Sequence, residues 1–244
     1  FMFTATCDFS RFDSEETSGG EYFFLNEQGG AIALLSSTRV AWINENGRLN
    51  NAIGDYLFEK NEDNQYNRLG DIVRKGKNYI SNLYLEQPPR YTPDSNKLVY
   101  AILGDPAMRL GYPTYQAKAR RINNIEIGNE ITLNASSKVT LDGYILTPSG
   151  EPASEFNGEV FITLYDAEKT TLSNGYEGSP QIEFTERTNK LFTGRTKVTN
   201  GEFSILFNMP KETSYSNKEG RFDFYAYSSE GKEASGICTD FKIG

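Results

Sequence analysis

The hydrophobic period changes once along this chain, near residue 118, and that change limits the folds open to it. Ahead of it, continuous apolar runs alternate with helical spacing. "GAIALLSST" (30–38) and "KLVYAILGDP" (97–106) have no polar face, as expected of strands buried on both sides, and "FMFTAT" (1–6) reads as a third strand. Leu49, Ile53, Tyr56 and Leu57 fall on one face of a helix, and Leu69, Ile72, Val73, Gly76, Tyr79, Ile80 and Leu83 repeat the pattern more strongly. "GGEYFFLNE" (19–27) predicts a short helix, and the three prolines of "EQPPRYTPDSN" (86–96) predict a loop. Strands without a polar face, separated by amphipathic helices, predict a parallel sheet flanked by helices. About three strands are too few for a complete sheet, so this α/β part is read as partial.

Beyond residue 118 the period is two. Val139 and Leu141, then Val160, Ile162 and Leu164, then Phe203, Ile205 and Phe207, then Phe222, Phe224 and Ala226 each mark one apolar strand face. Asn200-Gly201 between two such runs is a strong hairpin signal, because both residues tolerate positive φ. "TPSGEP" and "SSEGKE" add further turns. About seven short strands predict an all-β immunoglobulin-like sandwich over 119–244, although the Cys…Trp…Cys core of antibody domains is missing. The chain thus divides into 1–118 and 119–244.

Several function classes are excluded or weakened by charge and composition. A formal charge of -8, with Arg120-Arg121 as the one Arg-Arg doublet, disfavours nucleic acid as a partner. No apolar run is long enough to span a bilayer. Two cysteines, Cys7 and Cys238, make no disulfide framework and fall in different predicted domains. No D-x-D-x-D-G spacing points to calcium, and neither metal nor cofactor is expected. The chain contains no histidine, so a Cys–His pair cannot be completed within it. It opens inside a strand-like run with no Met before it, which leads us to expect further chain upstream.

Cys7 ends the first apolar run and is followed by the polar "DFSRFD". Catalytic groups of open α/β sheets gather at the carboxyl ends of strands, so the thiol could be reactive there. A free cysteine is equally at home as a small buried hydrophobe. Asp8 and Asp13 would disfavour the thiolate and Arg11 would favour it, depending on which lies near. Other positions have comparable double readings. Ser36, Ser37 and Thr38 could line a groove or cap the next segment. Gly104-Asp105-Pro106 could shape a loop near the active edge but reads first as a turn after a strand, and Trp42 could contact substrate but reads first as a core filler. Cys238, in "EASGICTDF", is read as a core residue on the last strand.

Three blocks in order, "TATCDFSRFD", "GGEYFFLNEQGGAIALLSSTRVAW" and "LVYAILGDPAMRLGYP", together resemble the C-terminal part of a gingipain-like cysteine peptidase domain of family C25. Within that family the resemblance leans to the surface sortases of the type IX secretion system of Bacteroidetes. The blocks "FNGEVFITLYD", "NKLFTGRTKVTNGEFSILFNMPKE" and "FDFYAYSSEGKEASG" are similar to the region that follows the peptidase domain there. The resemblance implies a caspase-like α/β fold and a His–Cys dyad, with Cys7 at the position of the nucleophile. It places the matching histidine upstream of residue 1, so this piece alone is expected to be inactive. It also implies a parent enzyme at the outer-membrane surface, facing outward. That enzyme would remove the C-terminal signal of exported proteins and attach them to a surface glycolipid. Its partners would be those protein substrates and other outer-membrane secretion components. A secreted protease that only hydrolyses, or a surface binding module without catalysis, are the alternative readings.

Overall fold

A computed structural model of the chain describes residues 1–63, 65–86, 95–176 and 178–244. It forms two compact units, Phe1–Gly111 and Tyr112–Gly244. Residue 118, where the period switches, falls inside a strand that begins at Tyr115, so the chain is already in the second unit when the new pattern becomes readable.

The first unit runs β1 (Met2–Phe3), α1 (Gly19–Phe24), β2 (Leu34–Ser37), α2 (Ile43–Leu57), α3 (Leu69–Glu86), α4 (Ser95–Val99) and β3 (Tyr100–Leu103). Its sheet has three strands in the order β1-β2-β3, and the central β2 is buried at every position. The helical periods predict α2 and α3 well. Leu49 and Ile53 of α2 pack with Leu69, Ile72, Val73 and Ile80 of α3 against Leu35 and Tyr100 of the sheet. Gly76 permits the close approach, since a Cβ there would lie 2.7 Å from Ile53 Cδ1. A capping box starts α1: the Ser18 N–H donates to Glu21 Oε2 at 2.8 Å while the Glu21 N–H donates to Ser18 Oγ at 3.4 Å.

Several expectations are corrected here. The sheet is mixed, not parallel: β1 runs parallel to β2, but β3 is antiparallel to it, Ser37 opposite Tyr100. The cause lies in the connection. Gly76 packs on Ile53 and Asn67 reaches back to Glu59, so α2 and α3 form an antiparallel pair. Such a pair returns the chain to the end of β2 from which it left, and the next strand must run back. The run 97–106 is not strand throughout, because Lys97, Leu98 and Val99 close α4. Only Met2–Phe3 of "FMFTAT" is strand. Most of the loop expected at 86–96 lies outside the described residues; Glu86 is the last residue of α3, and Ser95 and Asn96 belong to α4.

The second unit is β throughout. Its main sheet follows one ladder path, built from β4 (Tyr115–Ile122), β7 (Lys138–Leu146), β8 (Gly158–Tyr165), β11 (Lys190–Val198), β12 (Glu202–Asn208), β14 (Arg221–Ser228) and β15 (Glu233–Cys238). The order is β11-β8-β14-β15-β4-β7-β12, with β5 (Ile125–Glu126) beside β4. A small sheet joins β6 (Thr132–Leu133), β13 (Lys218–Glu219) and β16 (Lys242–Ile243), and β9 (Lys169–Leu172) pairs with β10 (Glu183–Glu186) as a separate hairpin. The two ends of the path, β11 and β12, are joined by the Asn200-Gly201 turn, both residues at positive φ (51° and 76°) as their type predicts. The sheet is therefore nearly closed. Two separate sheets were expected; one continuous ladder is found, because β4 pairs with β15 on one side and β7 on the other, with a bulge between Ala119 and Arg121. The layering survives: Phe203 and Phe207 of β12 meet Phe224 and Phe222 of β14 at 5.8 and 6.2 Å between ring centroids. All the predicted apolar faces point into this core, Ile205 only in part.

Candidate active site

Cys7 sits on the segment leaving the carboxyl end of β1. Up to Thr4 that segment follows β2, the Met2 and Thr4 N–H groups donating to Ala33 O and Leu35 O. It leaves the ladder over residues 5–7, all exposed, and rejoins where the Asp8 N–H donates to Arg39 O at 3.1 Å and the Ser10 N–H to Ser37 O at 2.9 Å. Asp8 makes the reversal in the left-handed region, at φ 51°, which an aspartate tolerates better than most residues. The detour leaves Cys7 exposed rather than a core residue.

The sulfur is held by one residue across the gap. Sγ donates to Ala41 O at 3.1 Å, and the Ala41 N–H points back at Sγ at 3.4 Å. The carbonyl suits the protonated thiol; the N–H suits a thiolate. Asp13 does not stand as a free charge in this region, since Arg39 grips it with both guanidinium nitrogens and holds its carboxyl below the usual range. Trp42, the next residue after Ala41, is 65% exposed and fills no core gap. That expectation fails because the backbone of Trp42 caps α2 while its side chain points away from the helix packing.

The hydroxyls at the end of β2 are structural. Ser36 bonds to Thr4 across the β1–β2 pair, Ser37 turns its hydroxyl onto Arg39 O, and Thr38 Oγ1 donates to Val99 O at 2.9 Å. Ser36 and Ser37 are fully buried. Gly104-Asp105-Pro106 is a turn: Asp105 Oδ1 accepts the Ala107 N–H at 2.8 Å, and Pro106 O accepts the Gly70 N–H at 2.8 Å. In the second unit Cys238 is buried, as its strand pattern predicts, and burial pushes its thiol pKa up.

One feature escaped the sequence reading. Beneath Cys7 lies a buried polar trio, Asn46, Asn96 and Tyr100, at 5%, 2% and 2% exposure. Asn96 accepts the Trp42 N–H at 2.9 Å and donates to Trp42 O at 2.7 Å and to Asn46 Oδ1 at 2.9 Å. The Tyr100 hydroxyl lies 2.8 Å from Asn46 Oδ1 and 3.3 Å from Thr6 O. These residues are scattered over 55 positions of sequence, and no local pattern could have joined them.

Comparison with known proteins connects this geometry to a family. Residues 1–111 match the family model described as peptidase family C25. No curated protein matches the chain at a significant level. Among solved structures, dimeric latent PorU from Porphyromonas gingivalis is 28% identical, with 87% of this chain and 20% of that chain covered and a TM-score of 0.51. The Arg-specific cysteine proteinase gingipain R (RgpB) is 15% identical, with 99% and 45% covered and a TM-score of 0.40. A complex of the Porphyromonas gingivalis RgpB pro- and mature domains gives 15%, 99% and 46%, and 0.39. The chain spans about a fifth of the length of that PorU chain.

Proposed function

We propose, from the match of residues 1–111 to the model of peptidase family C25, that the parent protein is a cysteine endopeptidase whose nucleophile is Cys7. The observation that carries this reading is the exposed thiol at the carboxyl end of β1, bracketed by the peptide groups of Ala41. The caspase-like arrangement implied by the family resemblance, and the immunoglobulin-like character of the second unit, belong to the same proposal.

The chemistry follows from the bracket. A base takes the thiol proton and the S–H contact to Ala41 O is given up, while the Ala41 N–H remains to stabilise the thiolate. Sγ then attacks the scissile carbonyl carbon, and the electron pair moves to the carbonyl oxygen. On collapse the C–N bond breaks, the amine leaves with the proton, and a thioester remains. Water or an incoming amine resolves it and returns the thiol. The base is not a histidine of this chain, which has none. The Asp8 N–H is committed to Arg39 O, so the proposal assigns the oxyanion to the N–H of Cys7 itself. The exposed indole of Trp42, one residue beyond the bracket, is assigned to the substrate chain beside the scissile bond.

The likeness to PorU supports a narrower version. The parent would remove the C-terminal signal of exported proteins at the cell surface and pass them to an amine on a surface glycolipid, alongside other outer-membrane secretion components. The test uses the complete reading frame that contains this chain, with Cys7→Ala beside the wild type. Mass spectrometry follows an exported substrate bearing a C-terminal signal. Loss of cleavage in a folded Cys7→Ala variant is the expected result. A product ending in a free carboxylate indicates hydrolysis, and one carrying an amide-linked group indicates transfer. Unchanged cleavage would overturn the assignment and leave the chain as a binding module.

A further inference from the structure

We infer that Asn96 is a positioning residue for the nucleophile, acting through the Trp42 peptide and braced by Asn46 and Tyr100; this rests on Cys7 being the nucleophile, as proposed above. Asn96 grips both backbone groups of one residue, accepting the Trp42 N–H at 2.9 Å and donating to the Trp42 carbonyl at 2.7 Å. An asparagine amide in that pose replaces the partner strand that the segment after β2 lacks. The gripped residue directly follows Ala41, whose own N–H and carbonyl hold Cys7 Sγ.

The other end of the network reaches the nucleophile from the opposite side. Asn46 Oδ1 receives both the Asn96 amide and the Tyr100 hydroxyl. That hydroxyl also lies 3.3 Å from the carbonyl of Thr6, the residue before Cys7. The Tyr100 hydroxyl has one proton for these two acceptors, so the hydrogen-bonded network runs from Trp42 through Asn96 and Asn46 to a hydroxyl that lies against the segment carrying the sulfur. Its members come from α2, α4 and β3, the three elements that meet there. Packing alone would be served by apolar side chains, and burying two amides and a phenol is costly unless every group is paired. Here the pairing is complete at Asn96 Oδ1 and Nδ2, and the groups it fixes are backbone atoms flanking the thiol. The network sets the separation of Cys7 from the 41–42 segment, and with it the approach of a substrate lying along that segment.

The test is made in the complete reading frame, on a quenched-fluorescent peptide selected from a library by wild-type cleavage. Asn96→Ala is expected to lower kcat about tenfold, the worth of one or two lost buried hydrogen bonds, with KM within about twofold. Asn96→Asp, which keeps the acceptor for the Trp42 N–H but sets a carboxylate oxygen against Trp42 O and Asn46 Oδ1, is expected to lower kcat at least as far. Tyr100→Phe removes a single hydroxyl, and its expected kcat loss of about threefold decides the matter if Asn96→Ala does not fold. Hydrogen exchange at the Trp42 amide should quicken in Asn96→Ala, and thermal melts confirm that the variants are folded at the assay temperature. An unchanged kcat in folded Asn96→Ala, or a loss there that lies in a raised KM with kcat kept, would overturn the inference. Cys7→Ala run alongside separates the two readings. If it still cleaves, the nucleophile is wrongly assigned; if it is dead while Asn96→Ala and Tyr100→Phe match wild type, only the positioning role fails.

Discussion

Tyr100 shows how one side chain can serve the core and the site together. Its ring packs edge-on against Phe3 at 6.0 Å between centroids, inside the cluster of Leu35, Leu49 and Ile72. Its hydroxyl is a donor only while protonated. Burial first, and the charge of Cys7 second, push its pKa up to about 12 from 10.0. The sign of the linked effect on stability is set by that direction. A phenol whose folded pKa lies above its unfolded value holds its proton more tightly in the native state, so its contribution is complete below about pH 10. It is then lost as pH climbs from 10 towards 12. Tyr100→Phe should therefore flatten the alkaline fall in stability, measured by urea unfolding between pH 9 and 12. Parallel curves for the two proteins across that range would mean that the hydroxyl titrates normally and that its pairing with Asn46 is weak.

Elements differ in how much of them a sequence reveals. Strands of the second unit have one wet and one dry face, so period-two patterning marks them residue by residue. α2 and α3 are equally legible, being long and amphipathic. The run from Lys97 to Leu103 is not, because a short apolar stretch fits a helix end or a buried strand, and tertiary pairing splits it at Tyr100. Strand direction was hidden too, since β3 becomes antiparallel through the packing of two helices rather than through anything in its own residues. At the site the nucleophile candidate was visible at a strand end, while Asn46, Asn96 and Tyr100 meet only through folding. Gly104 offers a test of how tightly β3 is terminated. It lies at φ 128°, and a Cβ there would fall 2.8 Å from Ala33 Cβ and 3.0 Å from Ala33 Cα, beside fully buried β2. Gly104→Ala should cost about 3 kcal/mol through strain and overpacking, seen as a lowered urea midpoint. Gly54→Ala on the open face of α2, with nothing within 4 Å of the new methyl, should instead gain about 0.5 to 1 kcal/mol by helix propensity. Equal effects at the two positions would contradict this account of the β3 end.

On the scale of the molecule, the C25 match and the first compact unit end at the same residue, 111. The family resemblance thus carries a structural boundary with it. Everything that the second unit needs for a core lies beyond that boundary. Leu133, Leu141, Phe156, Ile162, Phe222 and Ile243 are all essentially inaccessible, and every buried member of their cluster comes from residue 117 onward. The sheet is also self-sufficient: its two ends are joined by their own hairpin, and the parallel pairing of β15 with β4 ties the last long strand to the first. A unit of this size buries enough apolar surface to offset its chain entropy without help. Residues 112–244 expressed alone should therefore unfold in one cooperative transition, at a melting temperature within a few degrees of that seen for this unit in the full chain. Tyr115, at the start of β4, packs on Phe156 at 5.6 Å between centroids, so a cut at residue 118 would remove that contact and the parallel pairing of Tyr115 and Gln116 with β15. A version beginning at 119 should accordingly melt lower than one beginning at 112, and a longer version that gains nothing would show that β4 is dispensable to the closed sheet.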